Sequence, residues 1–223
     1  MKAAAAKPTA MPSAILYDYY RSSAAYRVRI ALHLKGVQYE SRPINLLESQ
    51  QKSDDYRAMN PQGFVPMLEI EGVRLTQSMA IMGYLDQRIP TTPLLPAAAD
   101  ARSHVLALAL TVACDIHPLN NLRVLKYLKD ELGVEQDARD GWYRHWVAEG
   151  LSALESLAAP RSGKFLFGDN PSMADICLVP QLYNAHRFDV PLEDYPTLLR
   201  ADENASKLEA FAAAHPDRQE QPT

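Results

Sequence analysis

The sequence predicts two domains, an α+β unit followed by an all-α helical bundle. Residues 89–100 contain three prolines, which prevent a continuous helix and mark a joint in the chain. Before the joint, short β-like runs alternate with helical patterns, whereas almost everything after it has helical periodicity. The 223 residues, 47% of them hydrophobic, suffice for one large or two small domains. We therefore expect domains at 14–89 and 101–216, joined by a linker at 90–100.

The N-terminal unit is expected to follow the order β-α-β-α-β-β-α. In its first helix, Val28, Ala31 and Leu32 show helical spacing, and Gly36 provides a C-terminal stop. Two strands separated by a helix should be parallel, and the last two strands, joined by a glycine turn, should be antiparallel. This order is the thioredoxin-like layout. The predicted elements are strands at 14–17, 37–44, 64–70 and 73–75, helices at 24–35 and 77–87, and short helical turns within 48–59.

The C-terminal half is predicted to be helical throughout. Its first helix contains Pro118, which should remove a backbone hydrogen bond and bend the helix. Ser172 and Asp175 have the spacing of a capping box and precede an apolar stripe, so we interpret them as a structural cap and not as a catalytic pair. The predicted helices span 101–130, 135–158, 172–186 and 195–214, followed by a loose polar tail at 215–223.

Composition argues against several classes of protein. The net charge is −4, from 23 basic and 27 acidic residues, so no global basic surface favours nucleic acid. The uncharged run at 105–114 is far shorter than the roughly 18 apolar residues of a membrane span. The leader at 1–14 lacks the apolar core of a secretory signal. Cys114 and Cys177 form neither a CxxC pair nor a metal cluster and are expected to be buried. A cytoplasmic protein without a metal is therefore expected.

The segment between the first strand and the first helix, residues 18–23 and here called the elbow, is a candidate site. Ser22 and Ser23 lie where a helix N-terminus offers unpaired amides and the positive end of its dipole. That environment stabilises a thiolate, but the elbow holds no cysteine, so the thiol would arrive with a ligand. The alternative is that one of the two serines only caps the helix, as serine commonly does.

Two further segments favour a peptide-like ligand that carries a thiol. Pro66, within the third predicted strand, is a candidate cis-proline that would expose the backbone of Val65 for pairing with a peptide. Gln77 and Ser78 open the next helix, where amides and a hydroxyl can receive a carboxylate, or where they form only another cap. A thiol site, a peptide-backbone site and a carboxylate site around one sheet edge are what glutathione requires.

These segments resemble the zeta class of the glutathione transferases over about residues 15–216. The resemblance is carried by Ser22–Leu32, Asn60-Pro61 with Val65-Pro66, Gln77-Ser78, and Met173–Asp175 with Leu178–Gln181. It implies the glutathione-transferase fold, glutathione as cofactor, and a homodimer.

The resemblance also implies roles for individual residues. Ser22 would hydrogen-bond and activate the glutathione sulfur, and Ser23 would be the second catalytic serine. Ala24 stands where the family usually has cysteine, so a mechanism that needs that cysteine does not apply. His117 and Asn121 are expected one turn apart on one helical face. The further glutathione contacts implied are Gln51, Val65, Gln77, Ser78, His117, Asn121 and Arg123.

A dianionic diketo acid as substrate would require cations near the thiol. Arg21 flanks Ser22, and the family places a carboxylate-binding arginine at Arg187. Arginine suits this role because its planar guanidinium binds a carboxylate through two parallel hydrogen bonds. Without the resemblance, Arg187 would be interpreted as a surface partner of Asp189 or Glu193.

The function implied is a glutathione-dependent cis–trans isomerase of a maleyl diketo acid. Maleylacetoacetate, in tyrosine and phenylalanine breakdown, is the expected substrate. Maleylpyruvate is the rival, since the isomerases that act on it also resemble this chain at His117–Asn121. General glutathione conjugation or dehalogenation is a further alternative. A non-catalytic binding module is the last one, and the retention of Ser22, Gln77, Ser78 and Arg187 together argues against it.

Overall fold

The computed structural model describes residues 14–221, so the expectation for the leader concerns positions that, apart from residue 14, lie outside the described range. The N-terminal unit has the predicted order of elements. These are β1 (Ala14–Asp18), α1 (Ser23–Leu34), β2 (Tyr39–Pro43), a 3-10 turn (Gln50–Lys52), α2 (Asp54–Met59), β3 (Met67–Ile70), β4 (Val73–Thr76) and α3 (Ser78–Arg88). Just after α1, Gly36 adopts φ 65°, a left-handed conformation that favours glycine.

The four strands form one mixed sheet in the order β2-β1-β3-β4. β1 and β2 are parallel, whereas β3 is antiparallel to both of its neighbours, which confirms the predicted directions. The strand predicted from residue 64 begins only at Met67, since Pro66 has no N–H to donate to the sheet. The Val65–Pro66 peptide bond is cis, as expected.

The C-terminal half is a bundle of helices. Its elements are α4 (Ala99–Leu110), a π-helical turn (Thr111–Ile116), α5 (His117–Asn120), α6 (Leu122–Asp130), α7 (Gln136–Ala158), a 3-10 turn (Ala159–Arg161), α8 (Met173–Arg187), α9 (Pro196–Ser206), α10 (Glu209–Ala213) and a 3-10 turn (Pro216–Arg218). α8 packs against α1, α4 and α9, and most of its residues are buried. A single apolar core therefore extends through both halves of the chain.

The helix predicted over residues 101–130 is interrupted at two places. Pro118 lacks the N–H that a continuous α-helix requires, and the turn before α5 is π-helical. Asn121 then leaves the helical conformation (φ −75°, ψ 160°), and its side chain accepts a hydrogen bond from the Val124 N–H at 3.2 Å. Asn121 is therefore the cap of a new helix. The expectation of one continuous bent helix over residues 101–130 is therefore wrong, whereas the shared face of His117 and Asn121 stays a prediction.

Residues 99–130 also form a stretch that is long and apolar enough, by length and composition, to cross a membrane. Core helices of soluble proteins have the same length and composition. Val105, Leu108 and Val112 of this stretch are fully buried in the common core, where α4 packs against α8. Packing within the protein therefore accounts for the apolar character of these positions.

Ser172 and Asp175 form the predicted capping box at the start of α8. The Asp175 carboxylate accepts hydrogen bonds of 2.8 Å from the Ser172 N–H, the Ser172 hydroxyl and the Leu166 N–H. Burial raises the pKa of Asp175 to about 6, although these hydrogen bonds act in the opposite direction. The carboxylate thus fastens the loop before α8 to the first turn of the helix.

We expect Asp175→Ala to lower stability while the folded protein keeps its affinity for ligands. The variant loses a cap, which costs about 0.5–2 kcal/mol, and leaves the buried Leu166 N–H unpaired, which costs about 1–3 kcal/mol. Ser172→Ala removes only a hydroxyl and should have the smaller effect. Thermal unfolding measures both. An unchanged melting temperature together with abolished turnover would show that the pair is catalytic.

Two expectations for the C-terminal half are wrong. Residues 215–221 are not a loose tail: Pro216 is buried, and the Gln219 amide donates to the main-chain oxygens of Ala213 and His215. Residues 222 and 223 of the predicted tail lie outside the described range. Cys114 is exposed, whereas Cys177 is buried as expected. Cys114 lies in the π-helical turn, which holds more residues than an α-helical turn and so shifts positions away from the face that α-helical spacing predicts.

Candidate active site

Ser22 is the N-cap of α1. Its Oγ accepts a hydrogen bond from the Ala25 N–H at 3.2 Å, and its own N–H donates to the Tyr19 main-chain oxygen at 2.8 Å. The capping interpretation is therefore correct for Ser22. Accepting that bond leaves the hydroxyl hydrogen available, and Ser22 is partly exposed, so it can still donate to an anion at the positive end of α1. Capping and thiolate binding are compatible at this position.

Ser23 has a different environment, since it is only 4% exposed. Its Oγ accepts a hydrogen bond from the Asn184 side-chain amide on α8 at 2.5 Å. The Asn184 Oδ1 in turn accepts a hydrogen bond from Arg187 Nη1 at 3.4 Å. These three residues form a hydrogen-bonded chain from the elbow to the end of α8. Of the two serines, Ser22 is the better placed to meet a ligand.

Arg21 and Arg187 both lie near the phenol of Tyr19. Burial raises the pKa of Tyr19, and the positive charges of the two arginines act in the opposite direction. Arg21 is exposed and lies over the ring of Tyr20, with 5.0 Å between its Cζ and the ring centroid. The elbow is therefore flanked by two cations that come from different halves of the chain.

Aromatic rings, rather than an acidic residue, surround the guanidinium of Arg187. Its Cζ lies 5.8 Å from the ring centroids of both Tyr183 and Phe188. Within residues 14–221, it forms no ion pair with Asp189 or Glu193. The interpretation of Arg187 as half of a surface ion pair is not supported, and its charge is available to a carboxylate.

The loop before β3 presents unpaired backbone next to an unpaired side chain. Tyr56 Oη and Asn60 Nδ2 donate to the Phe64 main-chain oxygen at 2.6 and 2.8 Å and fix this loop. The main chain of Val65 makes no hydrogen bond to any described residue. The Oε1 of Gln51 is buried and also has no hydrogen-bond partner among residues 14–221. Buried polar groups are normally hydrogen-bonded, so both features fit an extended peptide ligand.

The N-terminus of α3 is not capped by a side chain. Gln77 adopts φ 68°, ψ 115°, makes no side-chain cap hydrogen bond, and donates its amide to Gln62 Oε1 at 2.8 Å. Ser78 is buried, and its Oγ accepts a hydrogen bond from Arg27 Nη1 at 3.4 Å. The cap interpretation is therefore not supported for Gln77, and the first amides of α3 are available to a carboxylate.

Of the three glutathione contacts predicted in the helical half, the structure places one beside the loop before β3. That residue is Arg123, and the other two are His117 and Asn121. Burial lowers the pKa of His117 to about 3, and the charges of Arg27 and Arg123 contribute, so the imidazole is neutral at neutral pH. The Arg123 Cζ lies 5.1 Å from the ring centroid of Phe64, which places this cation beside the loop. Asn121 uses its Oδ1 to cap α6, which leaves its amide as the group that could reach a ligand.

Three observations together fit a glutathione molecule: the partnerless Gln51 acceptor, the unpaired backbone of Val65 and the uncapped start of α3. The thiol of such a ligand would then lie at the elbow, beside Ser22. In the part of the chain that the structure describes, no group of three or more His, Cys, Asp or Glu side chains could hold a metal ion.

Comparison with known proteins identifies the family. Family models of the glutathione S-transferase N-terminal and C-terminal domains match residues 12–87 and 136–214. The chain is 49% identical over 205 residues to the maleylacetoacetate isomerase of Rhizobium meliloti (strain 1021), covering 92% of this chain and 96% of that protein. A solved holo structure of maleyl pyruvate isomerase, described as a bacterial glutathione S-transferase in the zeta class, is 43% identical with a TM-score of 0.90, covering 92% of this chain and 98% of that one.

The chain belongs to the zeta class of the glutathione S-transferases. A second solved structure, the maleylacetoacetate isomerase of Anaeromyxobacter dehalogenans 2CP-1 with GSH bound in its active site, is 44% identical with a TM-score of 0.85. It covers 94% of this chain and 97% of that one. The resemblance read from the sequence is confirmed at the level of family and fold.

Two residues of this zeta-class transferase escaped the sequence interpretation. Asn184 lies three residues before Arg187 on α8, a spacing that places both on one helical face. Arg27 lies four residues after Ser23 on α1, in a buried and mostly apolar stretch that also holds Arg29. A polar residue in an apolar stripe was the available signal, but its bonding partner comes from another element and cannot be inferred from local spacing.

We expect acid to destabilise the folded transferase through His117. The unfolded pKa is near 6.5 and the folded pKa is about 3, so between these values the unfolded state binds a proton that the folded state does not. The free energy of unfolding therefore falls as the pH falls through this range. Asp175 and Asp202, whose pKa values burial raises to about 6, contribute in the opposite direction.

Comparing the wild type with His117→Gln isolates the contribution of the histidine to the pH dependence of stability, because Asp175 and Asp202 are present in both proteins. Denaturant unfolding at several pH values from about 7 down to about 4.5 should show the wild type losing stability relative to the variant. Parallel stability curves for the two proteins would contradict the assignment of a neutral, buried imidazole.

Proposed function

We propose that this zeta-class transferase is a glutathione-dependent cis–trans isomerase that converts maleylacetoacetate to fumarylacetoacetate in tyrosine and phenylalanine breakdown. The observation that carries the proposal is the hydrogen-bonded chain from Ser23 through Asn184 to Arg187, which holds a cation beside the helix N-terminus at Ser22. General conjugation of apolar electrophiles has no need of an arginine beside the thiol site.

Each residue then has a definite task. Bound glutathione supplies a thiolate, whose addition to the cis alkene moves the alkene electron pair onto the ketone as an enolate and leaves a single bond that can rotate; loss of the thiolate then re-forms the alkene as the trans isomer and regenerates glutathione. Ser22 donates a hydrogen bond to the sulfur and, with the dipole of α1, lowers the thiol pKa from its ordinary value near 8.5. Arg21 and Arg187 bind the carboxylates of the diketo acid. Ser23 is the second catalytic serine and a glutathione contact, and through Asn184 it is also connected to Arg187. The residues proposed to hold the rest of glutathione are Gln51, Val65, Gln77, Ser78, His117, Asn121 and Arg123.

Turnover of the two diketo acids, followed by ultraviolet absorbance with and without glutathione, tests the proposal. We expect isomerisation of maleylacetoacetate only when glutathione is present. Titration calorimetry with glutathione alone should show binding in the absence of substrate. Isomerisation at an undiminished rate without glutathione, or no isomerisation of either acid with it, would contradict the proposal.

Maleylpyruvate is the second candidate substrate. The solved holo structure of maleyl pyruvate isomerase is as similar to this chain as the maleylacetoacetate isomerase structure is. Both acids present the same cis alkene between a carboxylate and a ketone, with a second carboxylate at the far end, so the chemistry at Ser22 and Arg187 serves either one. The ratio of kcat/KM for the two acids decides between them.

The proposal includes a cytoplasmic homodimer without a nucleic-acid or membrane partner. The net charge of −4 supports the absence of a nucleic-acid partner. Light scattering on a size-exclusion column should give twice the chain mass of 24.9 kDa, and a mass of one chain would contradict the dimer.

A further inference from the structure

Two arginines of α1 are buried in very different environments. Arg29 is fully satisfied: it forms an ion pair of 2.7 Å with Asp18 and donates to the main-chain oxygens of Tyr20 and Ala214 at 3.0 Å. Arg27 is 2% exposed, and its Nε and Nη2 have no hydrogen-bond partner in the part of the chain that the structure describes. Within residues 14–221, no carboxylate lies within 4 Å of Arg27.

A buried charge without a counter-charge is unfavourable for folding. Removing a guanidinium from water has a large desolvation cost, which a partner carboxylate normally offsets. Burial lowers the pKa of Arg27, and the only groups that act in the opposite direction are the thiols of Cys177 and Cys114. An apolar residue would fit this place better by stability alone, and sequences tend to break such rules at functional sites.

The one hydrogen bond that Arg27 makes points to the function of its charge. Its Nη1 donates to Ser78 Oγ at 3.4 Å, at the first residue of α3. The bond occupies an acceptor position of the Ser78 hydroxyl and leaves the O–H to donate outward. α3 is 11 residues long and has no side-chain cap, so a cation beneath its first turn adds to the positive end of its dipole.

We propose that Arg27 is a positioning residue for the glutamyl α-carboxylate of glutathione. The guanidinium orients the Ser78 hydroxyl and supplies, from beneath the surface, the positive charge that the carboxylate meets at the start of α3. The buried charge is uncompensated in the free protein and gains its counter-charge when the anion binds. This inference rests on the proposed function, because it takes glutathione to be the ligand.

The binding test compares two ligands and two proteins. The ligands are glutathione and γ-aminobutyryl-cysteinyl-glycine, which lacks only the glutamyl α-carboxylate and keeps the amino group. The proteins are the wild type and Arg27→Met. By titration calorimetry, the wild type should bind glutathione about tenfold or more tightly than the analogue. In Arg27→Met that preference should shrink to about threefold or less, and Arg27→Lys, which keeps the charge, should retain most of it.

The stability test has a matched control on the same helix. Ligand-free Arg27→Met should melt a few degrees above the wild type, since it removes an unpaired buried charge. Arg29→Met should melt lower, since it leaves Asp18 buried and unpaired. Saturating glutathione should raise the melting temperature of the wild type more than that of Arg27→Met. If Arg27 were only structural, Arg27→Met would melt below the wild type, as Arg29→Met is expected to do.

The outcomes separate this inference from the proposed function. If the wild type does not bind glutathione, both the proposed function and the role of Arg27 are overturned. If the wild type binds glutathione but Arg27→Met keeps the full preference over the analogue, only the role of Arg27 is overturned. An Arg27→Met protein that is unfolded or less stable than the wild type also overturns it, because the residue is then structural.

Discussion

Ser22→Ala is expected to lower turnover by about ten- to hundredfold. The variant loses a hydrogen bond to a thiolate, and hydrogen bonds to charged groups are worth about 1.5–3 kcal/mol. The pKa of bound glutathione, measured by ultraviolet titration of the thiolate, should rise in the same variant. Ser22 is also the N-cap of α1, so alanine will lower stability as well, by about 0.5–2 kcal/mol.

Ser22→Gly separates the two roles. Glycine at an N-cap costs only a few tenths of a kcal/mol relative to serine, but it has no hydroxyl. We expect Ser22→Gly to lose as much turnover as Ser22→Ala while its melting temperature stays close to that of the wild type. Ser23→Ala should lower turnover less than Ser22→Ala does and should also lower stability, because the buried Asn184 amide loses its acceptor. An unchanged thiol pKa in both Ser22 variants would contradict the proposed role and make Ser23 the candidate.

Arg187→Ala is expected to lower kcat/KM for the diketo acid by about ten- to hundredfold, through loss of a charged contact. Glutathione affinity, measured by calorimetry, should change far less. Arg187→Lys keeps the charge but loses the planar guanidinium, so its loss should be intermediate. Equal weakening of glutathione and of the diketo acid in Arg187→Ala would assign this arginine to glutathione. If neither changes, Arg21 becomes the candidate for the substrate carboxylate.

Asn184 offers a way to test whether Arg187 is held in position. It binds Arg187 through a neutral oxygen, so it can orient the guanidinium without competing for its charge as an aspartate would. Asn184→Ala should lower kcat/KM for the diketo acid by about three- to tenfold. In the Arg187→Ala background the same substitution should have almost no effect on this parameter, because the two residues act together. Additive losses would show that Asn184 acts by another route.

Features that depend on neighbouring residues in the chain were predictable. The capping box of Ser172 and Asp175, the stop at Gly36 and the cis peptide before Pro66 all follow from spacing and residue type, and the structure has all three. The strand directions were predictable for the same reason, since a helix between two strands enforces a parallel pair.

Features that depend on distant partners were not predictable from the pattern. At Asn121 the sequence allows either the interior of a helix or the cap of a new one. The α-helical periodicity of the sequence continues across this position and does not show the break. Cys114 is exposed because it lies in a π-helical turn, and no sequence pattern distinguishes this turn from an α-helix. The pairing of Ser23 with Asn184 spans 161 positions, so only the folded chain reveals that the elbow and Arg187 are connected.

Residues near the C-terminal end of the bundle pack against α1, the first helix of the chain. Arg29 of α1 donates to the main-chain oxygen of Ala214, α10 packs against α1, and the ring of His215 contacts Tyr26 edge to face. During synthesis on a ribosome, the N-terminal unit therefore emerges long before the residues that cover its first helix. The packing of α1 is therefore completed only once α10 has been synthesised, and a chain that lacks α10 leaves uncovered the surface of α1 that α10 contacts.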